Sequence, residues 1–393
     1  GENNMEVSQV YELVNNATSE ILGDSVVLAE DLTNLVDVGT EIFNANAIDN
    51  YVRSLVNHIG RVIFVNRPYT GAVPSIIMDG WEYGSVLEKI TAEMPIATEN
   101  ETWELEDGQS YEQDIFYKPV VTAKFFNSKV TFEVPMSFTE RQIRESFSSA
   151  RQMNGFTSML YNAIDRSMTV KIDSLTMRTI NNMIAETIYS EYTTAQYSAS
   201  SGVRAVNLLK LYNDKFNSGE SDTPLTVDLA LNTPEFIRFA SYIMGLYVSR
   251  LSRISTMFNI GGKDRFTSKD KLHFVLLADF EKAANVYLYS DVYHNELTKI
   301  PKAETIPFWQ GSGTSYAFSD ITKINVTTAE NHTVNVTGVL GVMFDRDAMG
   351  ITNVDRRVTS HYNAKAEFYN NWFKYDAGYF NDFNENCVVF FIA

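Results

Sequence analysis

Proline is distributed along this chain in a way that restricts where long helices can form. Five of the nine prolines lie between residues 68 and 135, and no further proline occurs before Pro224. A proline inside a helix or a central strand removes a hydrogen bond, so closely spaced prolines predict edge strands, turns and excursions. The proline-free stretch can instead hold an unusually long helix. The sequence therefore predicts an extended loop region followed directly by a long helix.

The composition indicates a folded, acidic chain. Its 393 residues are 45% hydrophobic and 13% aromatic, which is typical of chains with large buried contacts. The formal net charge is −17, and this argues against tight nucleic-acid binding, which needs a basic surface. A protein that encloses nucleic acid without adhering to it remains compatible with this charge. The single cysteine, Cys387, excludes an intrachain disulfide and is interpreted as a small buried hydrophobe. No apolar run approaches the ~18 residues of a membrane span.

The N-terminal segment, residues 1–47, contains no lysine or arginine. It carries two short helical patterns, around Val7–Leu22 and Asp24–Val36. Helices of this length are marginal by themselves in water. We therefore interpret the segment as an arm that lies on another surface.

The patterns that follow change from helix to strand. Regularly spaced apolar residues predict a helix over Ile48–Ile59 that Gly60 ends, and RVIFV (61–65) predicts a strand. Between Asn66 and Pro135 only SVLEKIT (85–91) has a helical period. The other patterns predict strands broken by turns, one of them at Asp107-Gly108.

An acidic run interrupts these strands. Between Glu99 and Asp114 there are seven carboxylates and no basic residue. Such a run is typical of a solvated loop, and the alternative is a loop that meets a basic surface on another subunit.

A helical region follows the last of these prolines. Thr139 predicts an N-cap with Gln142 at the capping-box position, opening a short helix over 140–150. From residue 152 to 188 apolar residues recur close to a helical period, which predicts one helix of about 35 residues and roughly 50 Å. The charge pattern of a coiled coil is absent. We therefore interpret the helix as the spine of a subunit.

The second half alternates between helices and strands. The small, polar segment 190–202 predicts a domain boundary. Helices are predicted at Val203–Phe216 and Pro234–Phe258, and a further helix from Asp279. Buried or antiparallel strands are predicted at 272–277, within 320–344 and in the apolar tract that ends the sequence.

Motifs of catalysis and metal binding are absent or incomplete in the sequence. HExxH, CxxC and GxSxG do not occur, and the five histidines have no partner at metal-ligand spacing. DFNEN (382–386) imitates the start of a calcium loop, but Cys387 stands where that loop requires glycine and no bidentate glutamate follows. We therefore predict no catalytic residue, no cofactor and no metal site. The residues favour a structural or interaction protein.

The order of these elements resembles the major capsid proteins of tailed bacteriophages, which have the Hong-Kong-97-type α+β fold. Four segments are similar to capsid proteins of small short-tailed phages of Gram-positive bacteria: NLVDVGTEIFNANAIDNYVRSLVNHIGRV (34–62), GSVLEKITAEMP (84–95), the helices of 139–192 and LGVMFDRDAMGI (340–351). The likeness covers most of the chain in the right order.

The resemblance implies a division of the chain. The implied parts are an N-terminal arm at 1–47, the start of a peripheral domain at 48–65, an extended loop with adjoining strands at 66–135, the peripheral domain with its spine helix at 136–199, an axial domain at 200–340 and closing peripheral strands at 341–393. Subunits would form hexamers and pentamers of an icosahedral shell around double-stranded DNA, without sequence-specific DNA binding. Such a shell is assembled in the host cytoplasm, becomes part of the virion, and can take portal, scaffolding or decoration proteins as further partners.

Under this resemblance, the extended loop would lie on a neighbouring subunit. We hypothesise that its carboxylates pair with arginines of that neighbour, with Trp103 as an apolar anchor. The carboxylates are those of Glu99, Glu101, Glu104, Glu106 and Asp107, and the arginines are Arg141, Arg144 and Arg151. An exposed pair of this kind contributes only ~0–1 kcal/mol, so strength would come from repetition across a lattice.

Two alternatives stay open at the level of sequence. Another self-assembling phage component is one, although a portal would be longer and more helical and a tail tube shorter and richer in strands. A secreted carbohydrate-active protein is the other, suggested by the acidity and by Trp81, Trp103 and Trp309. The second alternative predicts a monomer with a carboxylate-lined cleft, whereas the first predicts a large particle.

Overall fold

The architecture is described from a computed structural model of the chain. The residues that the structure describes are 7–22, 28–30, 32–44, 47–65, 76–78, 87–98, 104–111, 114–192, 197–289, 303–310 and 317–393. The chain forms two compact units. The first consists of Gly1–Gly80, Lys129–Ile180 and Gly350–Tyr379, and the second of Trp81–Ser128, Asn181–Met349 and Phe380–Ala393.

Helices and strands are numbered in chain order. The helices are α1 (Val7–Leu22), α2 (Leu35–Asn44), α3 (Ile48–Val65), α4 (Glu140–Ser146), α5 (Ala150–Tyr189), α6 (Leu208–Phe216), α7 (Val227–Ala230), α8 (Pro234–Leu251), α9 (Ala278–Tyr289) and α10 (Phe318–Ile321). The strands are β1 (Ile77–Met78), β2 (Leu87–Ala92), β3 (Val121–Phe126), β4 (Lys129–Thr139), β5 (Ala205–Asn207), β6 (Leu272–Leu277), β7 (Glu304–Ile306), β8 (Ile324–Thr327), β9 (Thr333–Val336), β10 (Val339–Asp345), β11 (Met349–Asn363), β12 (Phe368–Asn381) and β13 (Cys387–Phe391). This mixture of helices and mainly antiparallel sheets is the predicted α+β class.

The first unit contains a sheet with the strand order β1-β11-β12-β4. The strand β4 pairs antiparallel with β12 along its whole length, and Pro135 lies opposite Trp372 in that pairing. A proline is tolerated here because β4 is the last strand of the described sheet, where one side of its backbone needs no ladder partner. The proline signal in the sequence thus corresponds to an edge strand at this position.

Three N-terminal helices pack together in the first unit. The helix α1 contacts both α3 and α2. Val10, Leu13 and Val14 of α1 are completely or almost completely buried, as is Tyr51 of α3. A short α1 is therefore stabilised by tertiary burial rather than by its own length.

The long helix is confirmed. The helix α5 has 40 residues, which corresponds to about 60 Å at the rise of an α-helix, and Gly155 does not interrupt it. The short helix α4 precedes it, and its predicted capping box is present. The hydroxyl of Thr139 accepts a hydrogen bond from the backbone N–H of Gln142, and the side chain of Gln142 accepts one from the backbone N–H of Thr139.

The second unit is built on a mixed sheet with the strand order β5-β13-β10-β6-β7. Every residue of β10 and β13 is buried, which agrees with the predicted apolar final strand. Cys387 lies in β13 against the hydroxyl of Thr187, 3.6 Å away, so it is a buried core residue. The predicted strand at 272–277 is β6, and the helix predicted from Asp279 is α9.

Two predictions early in the chain are wrong. RVIFV (61–65) is helical, because α3 continues through Gly60 to Val65. A glycine inside a helix costs about 1 kcal/mol relative to alanine, and packing of α3 against α1 outweighs that cost. SVLEKIT (85–91) is not helical where the structure describes it, since β2 runs over Leu87–Ala92 and pairs with β3. The seven residues of SVLEKIT are too few to sustain a helix against such pairing.

Other helix bounds differ from the prediction. The described part of Asp24–Val36 is non-helical up to Leu35, with Leu32 at a φ of 60°, and the helix α2 begins only there. Val203–Phe216 is not helical before Leu208, because it contains the strand β5. Asn207, the last residue of β5, caps α6 by accepting a hydrogen bond from Lys210 N–H. The helix α8 ends seven residues before the predicted Phe258. None of the described helices is both long enough and apolar enough to cross a membrane.

Candidate assembly surfaces

A long irregular segment leaves the second unit between two paired strands. The strands β2 and β3 are antiparallel from Leu87 opposite Phe126 to Ala92 opposite Val121. The segment between them, called loop 93–120 from here on, is closed at its base by a hydrogen bond of 2.8 Å from Glu93 N–H to the carbonyl of Val120. Its described residues contain no helix or strand. The pairing of β2 with β3 therefore determines where both ends of the loop start.

Loop 93–120 exposes large apolar side chains. The exposed fractions are 91% for Ile96, 84% for Phe116, 82% for Tyr117 and 62% for Leu105. Single exposed apolar residues are ordinary, but a concentration of them in one segment marks an interaction surface. Acidity and Trp103 were the predicted contact features of this loop, whereas the apolar side chains of Ile96, Leu105, Phe116 and Tyr117 were not predicted.

The acidic candidates occupy the same loop. Glu104, Glu106 and Asp107 are exposed, while Glu99, Glu101 and Trp103 lie outside the described residues. The predicted turn at Asp107-Gly108 is present, and Gly108 adopts a φ of 85° that glycine accepts without strain. The turn presents neighbouring carboxylates to solvent.

The arginine candidates belong to α4 and the first turn of α5 in the first unit. Arg141 forms a 2.8 Å ion pair with Glu145, and Arg144 forms a 2.9 Å pair with Glu140, each across one helical turn. The guanidinium of Arg144 also lies over the ring of Phe43, 4.6 Å from its centroid. All three arginines, Arg151 included, are exposed. Pairing with a neighbouring subunit stays a prediction, and it would compete with these local acidic partners.

A charged cluster at the root of the loop was not predicted. Lys89 of β2 and Lys124 of β3 lie directly opposite each other in the ladder. The carboxylate of Asp382 lies between them, 2.8 Å from the Lys89 ammonium and 3.1 Å from that of Lys124. The Asp382 side chain is only 4% exposed. One buried carboxylate thus neutralises two ammonium groups that would otherwise repel each other.

A second layer of charges surrounds this cluster. Glu385 lies 3.6 Å from Lys89 and 3.4 Å from Arg265. At the base of the loop, Lys263 contacts Glu93 at 2.7 Å. The strand β3 is therefore joined through Lys124, and β2 through Lys89, to the turn that precedes β13.

The pKa values of the two carboxylates in this turn are shifted in opposite directions. Burial by itself would raise the pKa of Asp382, but the hydrogen bond from Lys89 and the charges of Lys89 and Lys124 outweigh it and hold the pKa below its ordinary value. Burial raises the pKa of Glu385, and Lys89 and Arg265 compensate only in part. Asp382 is consequently the carboxylate whose negative charge the folded chain favours.

A cavity of about 210 Å³ adjoins the cluster. Its lining includes Thr91 and Thr122 of the hairpin and Asn384 of the C-terminal turn, together with lysine and arginine side chains of the cluster. Within the described part of the chain, no group of three or more His, Cys, Asp or Glu side chains could hold a metal ion. The DFNEN segment instead uses Asp382 to bind lysine side chains.

Comparison with solved structures relates this fold to phage capsids. A chain in the capsid structure of Staphylococcus phage Andhra matches with a TM-score of 0.50 at 8% identity, covering 83% of this chain and 86% of that chain. A chain in the structure of the head fiber and inner core protein gp22 of native bacteriophage P68 gives 0.48 at 8% identity, covering 84% and 86%. The asymmetric unit of the bacteriophage PhiM1 mature capsid gives 0.43 at 8% identity, covering 83% and 88%. The first of these matches supports the fold of a phage capsid subunit.

Sequence comparison assigns the family. The family model of the Phi29-like phage major capsid protein matches residues 13–391, nearly the whole chain. The chain belongs to this family of major capsid proteins. A search of curated proteins finds none that matches. The protein is accordingly a structural component of a virion and not an enzyme, and the portal, tail and carbohydrate-active alternatives are set aside.

Proposed function

We propose that this chain forms hexamers and pentamers, which close into an icosahedral shell around double-stranded DNA. Loop 93–120 acts in that shell as a clasp on a neighbouring copy. The observation that carries the clasp is the exposure of Ile96, Phe116 and Tyr117, none of which is covered by the chain's own described residues to any large extent. Membership of a capsid family makes a second copy of the chain the natural cover for them.

Contacts between different patches of the same chain suit a closed ring. A loop on one subunit and its receiving surface on the next form a heterologous contact, which repeats around a five-fold or six-fold axis. Each such contact buries more area than two compact bodies could bury alone. We also propose that the subunit in this shell is divided into an arm, a peripheral domain, an extended loop and an axial domain.

The enclosed DNA is held by confinement in this proposal. A net charge of −17 disfavours strong contacts with phosphate groups. Low adhesion lets DNA enter and leave a shell, and it leaves portal, scaffolding or decoration proteins as further partners during assembly in the host cytoplasm.

Electron microscopy of the purified protein tests the assembly directly. We expect shells or rings of five and six subunits at high protein concentration, and a persistent monomer under all conditions would contradict the proposal. The charged part of the clasp has its own test. Reversing Glu104 and Glu106 to lysine should reduce assembly and alter its dependence on salt, because the two introduced ammonium groups would repel the arginines of a neighbour that the carboxylates attract.

A matched variant separates this effect from a general change in net charge. Glu220 and Glu330 are also exposed carboxylates of the second unit, outside loop 93–120. Reversing both to lysine changes the net charge by the same amount. If the loop variant and this control assemble equally well at every salt concentration, the proposed pairing with Arg141, Arg144 and Arg151 is wrong.

A further inference from the structure

The hairpin β2–β3 lacks the apolar support that such a hairpin needs. It joins no other strand in the described chain, and none of its twelve residues is buried. An isolated two-stranded hairpin is marginally stable in water. The other isolated pair, β8–β9, differs because it buries Ile324, Val334 and Val336. Something other than a buried apolar face must hold β2–β3 in place.

The two faces of this hairpin are reversed relative to an ordinary sheet. A half-exposed sheet usually turns its apolar face inward and its charged face to water. Here Lys89 and Lys124 point toward the C-terminal turn, whereas Ile90, Val121 and Phe125 are 66%, 57% and 61% exposed. The face that meets the C-terminal turn thus carries both lysines together with the half-buried Leu87 and Phe126. The opposite face, with Ile90, Val121 and Phe125, is left uncovered by the described chain.

The attachment depends on Asp382. Like charges directly opposite each other destabilise a strand pair, and Lys89 and Lys124 are such a pair. The shared carboxylate removes that repulsion and joins both strands to one point of the chain. A ring contact between Phe126 and Phe380, with centroids 5.1 Å apart, supplements it. A cavity of about 210 Å³, lined in part by Lys89, Lys124 and Asp382, adjoins this junction.

We propose that Asp382 is a positioning residue for assembly. By holding Lys89 and Lys124 together, its carboxylate sets the direction in which loop 93–120 leaves the second unit, and so presents the loop to a second copy of the chain. The inference rests on the proposed function in one respect, namely that this loop makes the contact between copies. It adds a role for the C-terminal turn, which touches the root of the loop and not the loop's contact surface.

The substitution Asp382→Asn tests this role because it removes the charge and keeps the shape. With the lysines unneutralised, the hairpin should open more often. We expect hydrogen exchange of the β2 and β3 amides, and protease cleavage within loop 93–120, to accelerate by about tenfold to a hundredfold. Exchange in β10 and β13, which form the buried sheet, should stay unchanged. The protein concentration needed for assembly should rise at least about tenfold.

Two variants provide the controls. The first is Glu385→Gln. Glu385 lies in the same turn and also faces Lys89, but at 3.6 Å and with no ion pair to Lys124, so we expect less than about a threefold change in hydrogen exchange of the β2 and β3 amides. Lys124→Met should restore most of the protection when it is combined with Asp382→Asn, because it removes one of the two repelling charges. A purely structural role of Asp382 would not predict this rescue.

The outcomes separate this inference from the proposed function. If the unaltered protein forms no shells, the proposed function fails, while exchange in the unassembled protein still tests the attachment of the hairpin. If shells form and Asp382→Asn changes neither hairpin exchange nor the assembly concentration, the inference is overturned. It is equally overturned if exchange accelerates in β10 and β13 as much as in β2 and β3, because Asp382 would then stabilise the whole unit.

Discussion

Replacing Phe116 and Tyr117 together by serine is expected to weaken assembly strongly while leaving the fold intact. The two side chains are 84% and 82% exposed, so their removal deletes almost no contact within the chain. Exposed substitutions of this kind usually change the free energy of unfolding by less than about 0.5 kcal/mol. In the proposed shell both rings are covered by a neighbouring copy, so the substitution should weaken association between subunits and leave the stability of the single chain nearly unchanged.

The magnitude follows from the area that the rings can still bury. Complete burial of a large apolar side chain contributes about 1.5–3 kcal/mol. Because more than four fifths of each ring is available, the pair contributes roughly 3–5 kcal/mol to each contact between subunits. A factor of ten in association corresponds to about 1.4 kcal/mol, so the concentration for half-maximal assembly should rise by about a hundredfold to a few thousandfold. Incomplete burial at the rim of the contact makes the lower value the better expectation.

Sedimentation velocity over a range of concentrations measures this shift, and thermal unfolding of the unassembled protein checks the fold. Leu229→Ser is the matched control, since Leu229 is 58% exposed on α7 and lies outside loop 93–120. If the loop variant assembles at the concentration of the unaltered protein, Phe116 and Tyr117 do not form the proposed contact between copies. The proposed contact is also refuted if the control loses assembly to the same degree, because surface hydrophobicity in general would then be responsible.

Three further predictions concern stability. Gly338→Ala should lower the free energy of unfolding by about 3 kcal/mol, since Gly338 has a φ of 86° and an added Cβ would lie 1.9 Å from the carbonyl oxygen of Ile392. Gly245→Ala is the control, because an added Cβ there has open space and should not lower stability; thermal unfolding compares the two variants. Thr139→Ala should cost about 1 kcal/mol in urea unfolding through the lost cap of α4, and Thr139→Ser should cost less. The pKa of Asp382 is lowered from 3.8, so its contribution to stability is present at neutral pH and is lost as the pH falls below that value. Asp382→Asn should therefore flatten the decline in the free energy of unfolding, measured in urea, below about pH 4. An unchanged decline would contradict the stabilising role of the Asp382 carboxylate.

Elements with a strong local signal were predictable from the sequence. The bounds of α1, the cap at Thr139, the length of α5 and the strand β6 all follow from periodicity or capping residues within one segment. The wrong predictions concern segments whose secondary structure depends on packing or pairing with a distant part of the chain. SVLEKIT has a helical spacing, yet β2 forms because β3 lies beside it. Gly60 is a common helix end, yet α3 continues because it is packed against α1.

The position of loop 93–120 was predictable from local sequence, whereas its attachment to the fold was not. Acidity and proline spacing identified the loop region, because both are properties of neighbouring residues in the chain. The attachment of that loop was not predictable. Lys89 and Asp382 are 293 positions apart, and no pattern near either residue indicates that they meet. In the sequence DFNEN only imitated a calcium loop, whereas in the fold Asp382 neutralises two lysines.

The order of residues is enough to predict an acidic chain without catalytic motifs, a loop region that prolines keep out of helices and a long helix that the absence of proline permits. Composition and local spacing suffice for these properties because each depends on residues close together in the chain. How the loop is held depends instead on contacts between distant segments of the fold. Strand pairing placed Lys89 opposite Lys124, and the return of the C-terminus brought a buried carboxylate between them. Charges interact through space over a few ångströms, so the fold, and not the order of residues, determines which of them meet.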